Sequence, residues 1–150
     1  IIDNQLFTAN KRFLDPDGYW IQLHNAHSKN KDQITYAIGV IKDQHPKIVV
    51  DNLRDSILFK NIMLGGSIAD DYGLTALNLH YQVVSGQSIV VEKKVPIQIN
   101  AQQLAQGFYY RWALDSLALK PGDKVSYYLE VWDNDGVNGR KSTRSSSYII

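Results

Sequence analysis

Carboxylates crowd two short stretches of this chain, Asp70-Asp71 and Asp133-Asn134-Asp135. Ca²⁺ takes six to eight oxygen ligands, often from loops, so Asp70, Asp71, Asp133 and Asp135 are the candidate metal ligands. The run Asp133-x-Asp135-Gly136 is not an EF-hand, because Arg144 stands where the twelfth-position acid belongs. If the two stretches follow strands of facing sheets, the loops need not meet. Asp and Asn also bond to their own turn backbone, and Asp70 could cap the turn before Tyr72-Gly73. Ordinary loop chemistry is therefore the preferred reading, and no cofactor is expected.

Other chemistries find less support. His24 and His27 are three apart in a segment that reads as strand then loop, His45 sits in a polar break, and His80 lies on a polar strand face. No acid or cysteine completes a ligand set, so all four histidines are expected at the solvated surface. Ser67 follows Gly65-Gly66 but lacks the second glycine of a nucleophile elbow. The chain has no cysteine, which excludes thiol catalysis, thiolate metal sites and a disulfide framework. No glycine-rich loop opens a helix to hold phosphate. The expectation is no enzyme and no catalytic residue. Aromatic side chains remain: Trp132, Tyr128 and Tyr109 fall on outward strand faces and are the candidate binding residues. They could stack sugar rings or bury against a neighbouring module. The basic run Arg140-Lys141-Ser142-Thr143-Arg144 reads as charge that guards an edge strand against aggregation.

The elements that carry these residues alternate with period two. Val125, Tyr127, Leu129 and Val131 share one face, opposed by Ser126, Tyr128, Glu130 and Trp132. Leu77-Leu79-Tyr81-Val83, Phe108-Tyr110-Trp112-Leu114 and Ile34-Tyr36-Ile38-Val40 repeat the pattern. Pro96 marks the run 89–97 as an edge strand, and Gly65-Gly66 marks a bulge or close packing. Asp15-Pro16-Asp17-Gly18 and Lys120-Pro121-Gly122-Asp123 are turn signals. Asn100 could cap a short helix over 101–106. Strands are predicted near 47–51, 57–68, 74–84, 89–97, 108–115, 124–132 and 142–150. Seven short strands in that space predict an all-β, antiparallel immunoglobulin/fibronectin-III-like sandwich over residues 46–150. Residues 1–45 read as the C-terminal strands of a preceding β module plus a linker ending at Asp43-Gln44-His45-Pro46. One enlarged sandwich of nine or ten strands is the competing arrangement. The Ile1-Ile2 start and the Tyr148-Ile149-Ile150 end read as the inside of a longer polypeptide.

Composition agrees with a folded domain. The 150 residues are 44% hydrophobic and 21% charged, enough for an ordinary core. Lys and Arg total 16 against 15 for Asp and Glu, a near balance that argues against a general nucleic-acid binder. No asparagine begins a glycosylation sequon.

Two stretches carry a resemblance. Ala69-Asp70-Asp71-Tyr72-Gly73-Leu74 followed by Leu77-x-Leu79-x-Tyr81 is one. Leu119-x-Pro121-Gly122-Asp123-x-Val125-x-Tyr127-Tyr128-x-Glu130-Val131-x-Asp133-x-Asp135 is the other. Together with Ile38-x-Val40-Ile41-x-Asp43-x-x-Pro46-x-Ile48, they resemble the Ig-like modules and junctions of a family of large membrane-anchored, extracytoplasmic Bacteroidetes proteins of unknown function. The resemblance implies a non-catalytic spacer or protein-interaction module, periplasmic or at the bacterial cell surface. Its partners would be adjacent modules and other envelope proteins, with the membrane reached only through segments outside residues 1–150. A carbohydrate-binding sandwich using the exposed aromatics is the alternative. A weaker likeness to fibronectin type III domains runs through Leu119-x-Pro121-Gly122, but Val125 stands where that family's tyrosine would be.

Overall fold

A computed structural model describes residues 10–24, 26–29, 32–54, 60–136 and 139–150. Ile1, Ile2, Asn25, residues 57–59 of an expected strand, and Asn138 lie outside the described residues. The chain divides into two compact units, Ile1–Lys42 and Asp43–Ile150.

In the first unit, β1 (Asp17–Ile21) pairs antiparallel with β2 (Ile34–Ile38), placing Tyr19 opposite Tyr36 with their rings stacked at 4.9 Å. β1 is exposed along its whole length, and so is β2 apart from half-buried Ile38.

Among its described residues, the second unit turns the alternating runs into eight strands. These are β3 (Lys47–Arg54), β4 (Asn61–Ala69), β5 (Leu74–Ser85), β6 (Ser88–Ile97), β7 (Ala105–Ala113), β8 (Lys124–Asp133), β9 (Ser142–Arg144) and β10 (Tyr148–Ile149). One sheet has the order β3-β4-β7; the other runs β10-β8-β5-β6, with β9 also on the free side of β8. All pairs are antiparallel. This is the immunoglobulin/fibronectin-III-like sandwich that the period-two pattern predicts. β6 is an edge strand, as Pro96 requires. The single run expected at 142–150 is interrupted: between β9 and β10, the Ser145 amide donates to the Leu129 carbonyl and the Leu129 amide to Ser145 Oγ.

The core lies between the sheets. Ile62, Leu64, Ile68, Phe108 and Trp112 from one meet Leu77, Leu79, Tyr81, Val125, Tyr127, Leu129 and Val131 from the other. Trp112 bridges the layers, its ring 4.9 Å from Tyr81 and 5.3 Å from Tyr127. The paired glycines serve close packing. The β3-β4 and β4-β7 registers run through Gly65 and Gly66 without a shift, and a Cβ on Gly66 would lie 2.0 Å from the Val49 carbonyl oxygen.

The helix expected at 101–106 does not form. Asn100 Oδ1 accepts from the Gln102 amide and its carbonyl from Gln103, closing one tight turn. Gln106 then joins β7 opposite Ile68, while its side chain pairs with both backbone groups of Asn100. A partner strand for β4 outcompetes two turns of isolated helix. A 3-10 turn occupies Asp115–Leu117. Among the described residues no helix is long and apolar enough to cross a membrane.

Candidate functional site

The two acidic loops meet. β3 and β4 are antiparallel, so the segment entering β3 lies beside the end of β4, and the β4-β5 and β8-β9 connections converge there. The Asn134 amide donates to the Gly73 carbonyl at 3.1 Å, and Asn134 Nδ2 to the Tyr72 carbonyl at 2.9 Å. The expectation that the loops could stay apart is corrected by topology, since both connections lie at one end of the sandwich.

Each loop is organised by one buried carboxylate. Asp70 Oδ2 accepts from the Tyr72 and Gly73 amides at 3.1 and 2.9 Å. Gly73 has φ +128°, and a Cβ there would meet Asn134 Nδ2 at 2.9 Å, so glycine is needed for both conformation and space. Fully buried Asp133 accepts from the Asp135 and Lys141 amides through Oδ1. Thr75 bulges out of the β5-β8 register and donates to the Asp133 carbonyl at 2.6 Å. The local side-chain-to-backbone bonding expected of these loops is present at Asp70 and Asp133.

Two residues missed in the sequence complete this end. Lys141 Nζ pairs with Asp43 and with Asp135 Oδ2 at 3.0 Å, and lies 3.7 Å from Asp133 Oδ2. Carboxylate oxygens of Asp43, Asp70 and Asp71 all fall within 4.8 Å of one another. The ion pair with Lys141 pulls the Asp43 pKa down, but burial and the facing Asp71 carboxylate together push it above the ordinary value. The Lys141 pKa is raised as well, by its bond to Asp43 and its contact with Asp135, so the ammonium stays firmly protonated. The basic run was assigned to edge protection, yet Lys141 is committed to this acidic end, and Arg144 to Glu130 at 3.0 Å. The available signal was strand order: an immunoglobulin-like assignment already places residues 43–46 beside both loops.

The three candidate aromatics do not share one face. Tyr109 stands on β7, exposed on the outer face of the three-stranded sheet, whereas Tyr128 and Trp132 stand on β8 in the other sheet. Tyr128 is flanked by His80 of β5, stacked at 4.8 Å, and by Arg144 of β9, 5.0 Å from its ring centre. β5 and β9 lie on opposite sides of β8, so Tyr128 is held between them. Trp132 is half-buried, with Nε1 enclosed and unpartnered.

His80 is not the solvated histidine expected. Its ring is partly covered, with Nε2 3.2 Å from Glu130 Oε2 but misaligned for a hydrogen bond. Burial lowers its pKa, Glu130 opposes this, and Lys94 and Arg144 reinforce it. Burial would raise the pKa of Glu130, which is buried although on an outward face, but Arg144 and Ser142 bond to it and hold its pKa below the ordinary value. Beside them is an open groove of about 330 Å³, lined in part by His80, Gln82, Glu92, Lys94, Ser126 and Tyr128.

No family model matches the chain, and no curated protein does. Among solved structures, it is similar to a carbohydrate-binding module family 56 β-1,3-glucan binding domain. That likeness has 16% identity and a TM-score of 0.34, and covers 71% of this chain and 99% of the other. At that distance neither ligand nor site residues are carried across.

Proposed function

We propose that the chain is a non-catalytic Ig-like spacer and protein-interaction module of a membrane-anchored bacterial envelope protein, working in the periplasm or at the cell surface. Its partners are neighbouring modules and other envelope proteins. The observation that carries this reading is the outer face of the three-stranded sheet. There Tyr109 and Val49 are 62% and 60% exposed, and Gly65 and Ser67 lie between their strands and leave a shallow valley. An exposed aromatic and aliphatic pair on a flat, rigid sheet suits burial against another protein surface. A photo-crosslinking residue at Tyr109 in the full-length protein should give discrete protein adducts in cells. Adducts absent there, together with fractionation into the cytosol, would overturn the proposal.

The groove beside His80 favours a second reading, carbohydrate binding, because hydroxyl-rich ligands suit its Gln82, Glu92, Lys94 and Ser126 groups. Ring stacking on Tyr128 is not open to such a ligand, since His80 and Arg144 flank it. Retention of the protein in affinity gels containing soluble polysaccharide, lost in Gln82→Ala, would favour this second reading over the first.

A further inference from the structure

We propose that the loop end of the sandwich is a Ca²⁺ site, with one carboxylate oxygen each from Asp43, Asp70 and Asp71 as its protein ligands. Proximity of acids alone would not carry this. The independent observation is a carboxylate oxygen with nothing to bond. Asp70 is only 9% exposed, and its Oδ1 is enclosed and accepts no hydrogen bond, although Oδ2 accepts two. Asp43 Oδ1, in the same cluster, is likewise enclosed and unpartnered. A buried anionic oxygen without a partner is costly, and the usual resolutions are a proton or a cation.

Coordination chemistry selects the ion. Ca²⁺ takes six to eight oxygens at about 2.4 Å in flexible geometry, whereas Mg²⁺ demands a near-ideal octahedron at about 2.1 Å. Carboxylate oxygens of the three residues lie within 4.8 Å of one another, close enough to share one ion, and they come from two separate segments, the irregular kind of set that Ca²⁺ accepts. Charge points the same way. Five carboxylates, Asp43, Asp70, Asp71, Asp133 and Asp135, gather at this end, and the ammonium paired with them among the described residues is Lys141. Lys141 lies toward Asp43, Asp133 and Asp135, leaving the Asp70-Asp71 side of Asp43 to the metal. Asp71 is exposed, so water can enter there and complete the coordination. The bound ion would join residue 43, ahead of β3, to the β4-β5 turn, all within the second unit.

The test uses the whole chain stripped with chelator and then titrated with CaCl2, read by calorimetry and by melting temperature. The expected result is saturable binding of one ion per chain with a rise in melting temperature. MgCl2 at equal concentration should do markedly less. Asp71→Asn removes one charged ligand at an exposed position that bears none of the turn's described hydrogen bonds, and should weaken Ca²⁺ affinity roughly tenfold or more. Terbium luminescence sensitised by neighbouring aromatic rings should fall in the same variant. No saturable heat and no melting shift would overturn the proposal. So would equal effects of the two ions, or unchanged affinity in Asp71→Asn. None of these outcomes bears on the spacer reading, which does not require a metal.

Discussion

Gly66 has the least room of the glycines in the chain. Alanine there would press its Cβ into the Val49 carbonyl, which belongs to the paired backbone of β3 and has no free rotamer to escape. Gly66→Ala should destabilise the domain on the order of 3 kcal/mol, measurable as a lower urea midpoint with an unchanged slope. At the other sheet, His80 and Glu130 make stability depend on pH in one direction. Both have folded pKa values below their ordinary 6.5 and 4.5. The folded state therefore binds protons less readily than the unfolded state. The stability they contribute is complete above 6.5, and acidification removes it, His80 acting first and Glu130 below 4.5. Lys94 and Arg144 face His80 and strengthen its part, while Glu130 opposes it. Melting temperature should fall steadily from pH 7 to 4, and His80→Gln should flatten the upper part of that curve.

The core rests on contact between β7 and the β5-β8 pair. Trp112 is nearly buried, and its ring touches Tyr81 and Tyr127 across the layers, so no single neighbour could fill its space. Trp112→Ala should cost about 3–5 kcal/mol, close to the whole stability of a small domain, and appear as a large loss in chemical denaturation. These strands were legible because each side chain on one face is apolar and both layers obey the same period. The failures came where local signals compete. Asn100 is as good a turn former as a helix cap, and only the partner strand of β4 decides between them. Glu130 reads as an outward polar residue, and its burial arises from Arg144 and Ser142, supplied by a strand twelve or more residues away.

The two units should differ sharply in protection. Two exposed strands paired only with each other are marginal, whereas β5 and β8 are central strands sealed by the core. Hydrogen exchange followed by mass spectrometry should give rapid exchange in β1 and β2 and the slowest exchange at Leu79 and Leu129. The acidic end was half legible for a reason at this scale. Asp70, Asp71, Asp133 and Asp135 advertise themselves as loop carboxylates, but Asp43 looks like a linker residue and Lys141 like edge charge. Their meeting depends on strand order, which no local window contains. Strand order also governs how the sandwich would respond to being pulled. β10 grips β8 through two paired residues and the reciprocal bonds between Ile150 and Val125, and Ser145 separates it from β9. Tension arriving from that side would open this weak link first, releasing a little slack and acting as a fuse that spares the packed interior.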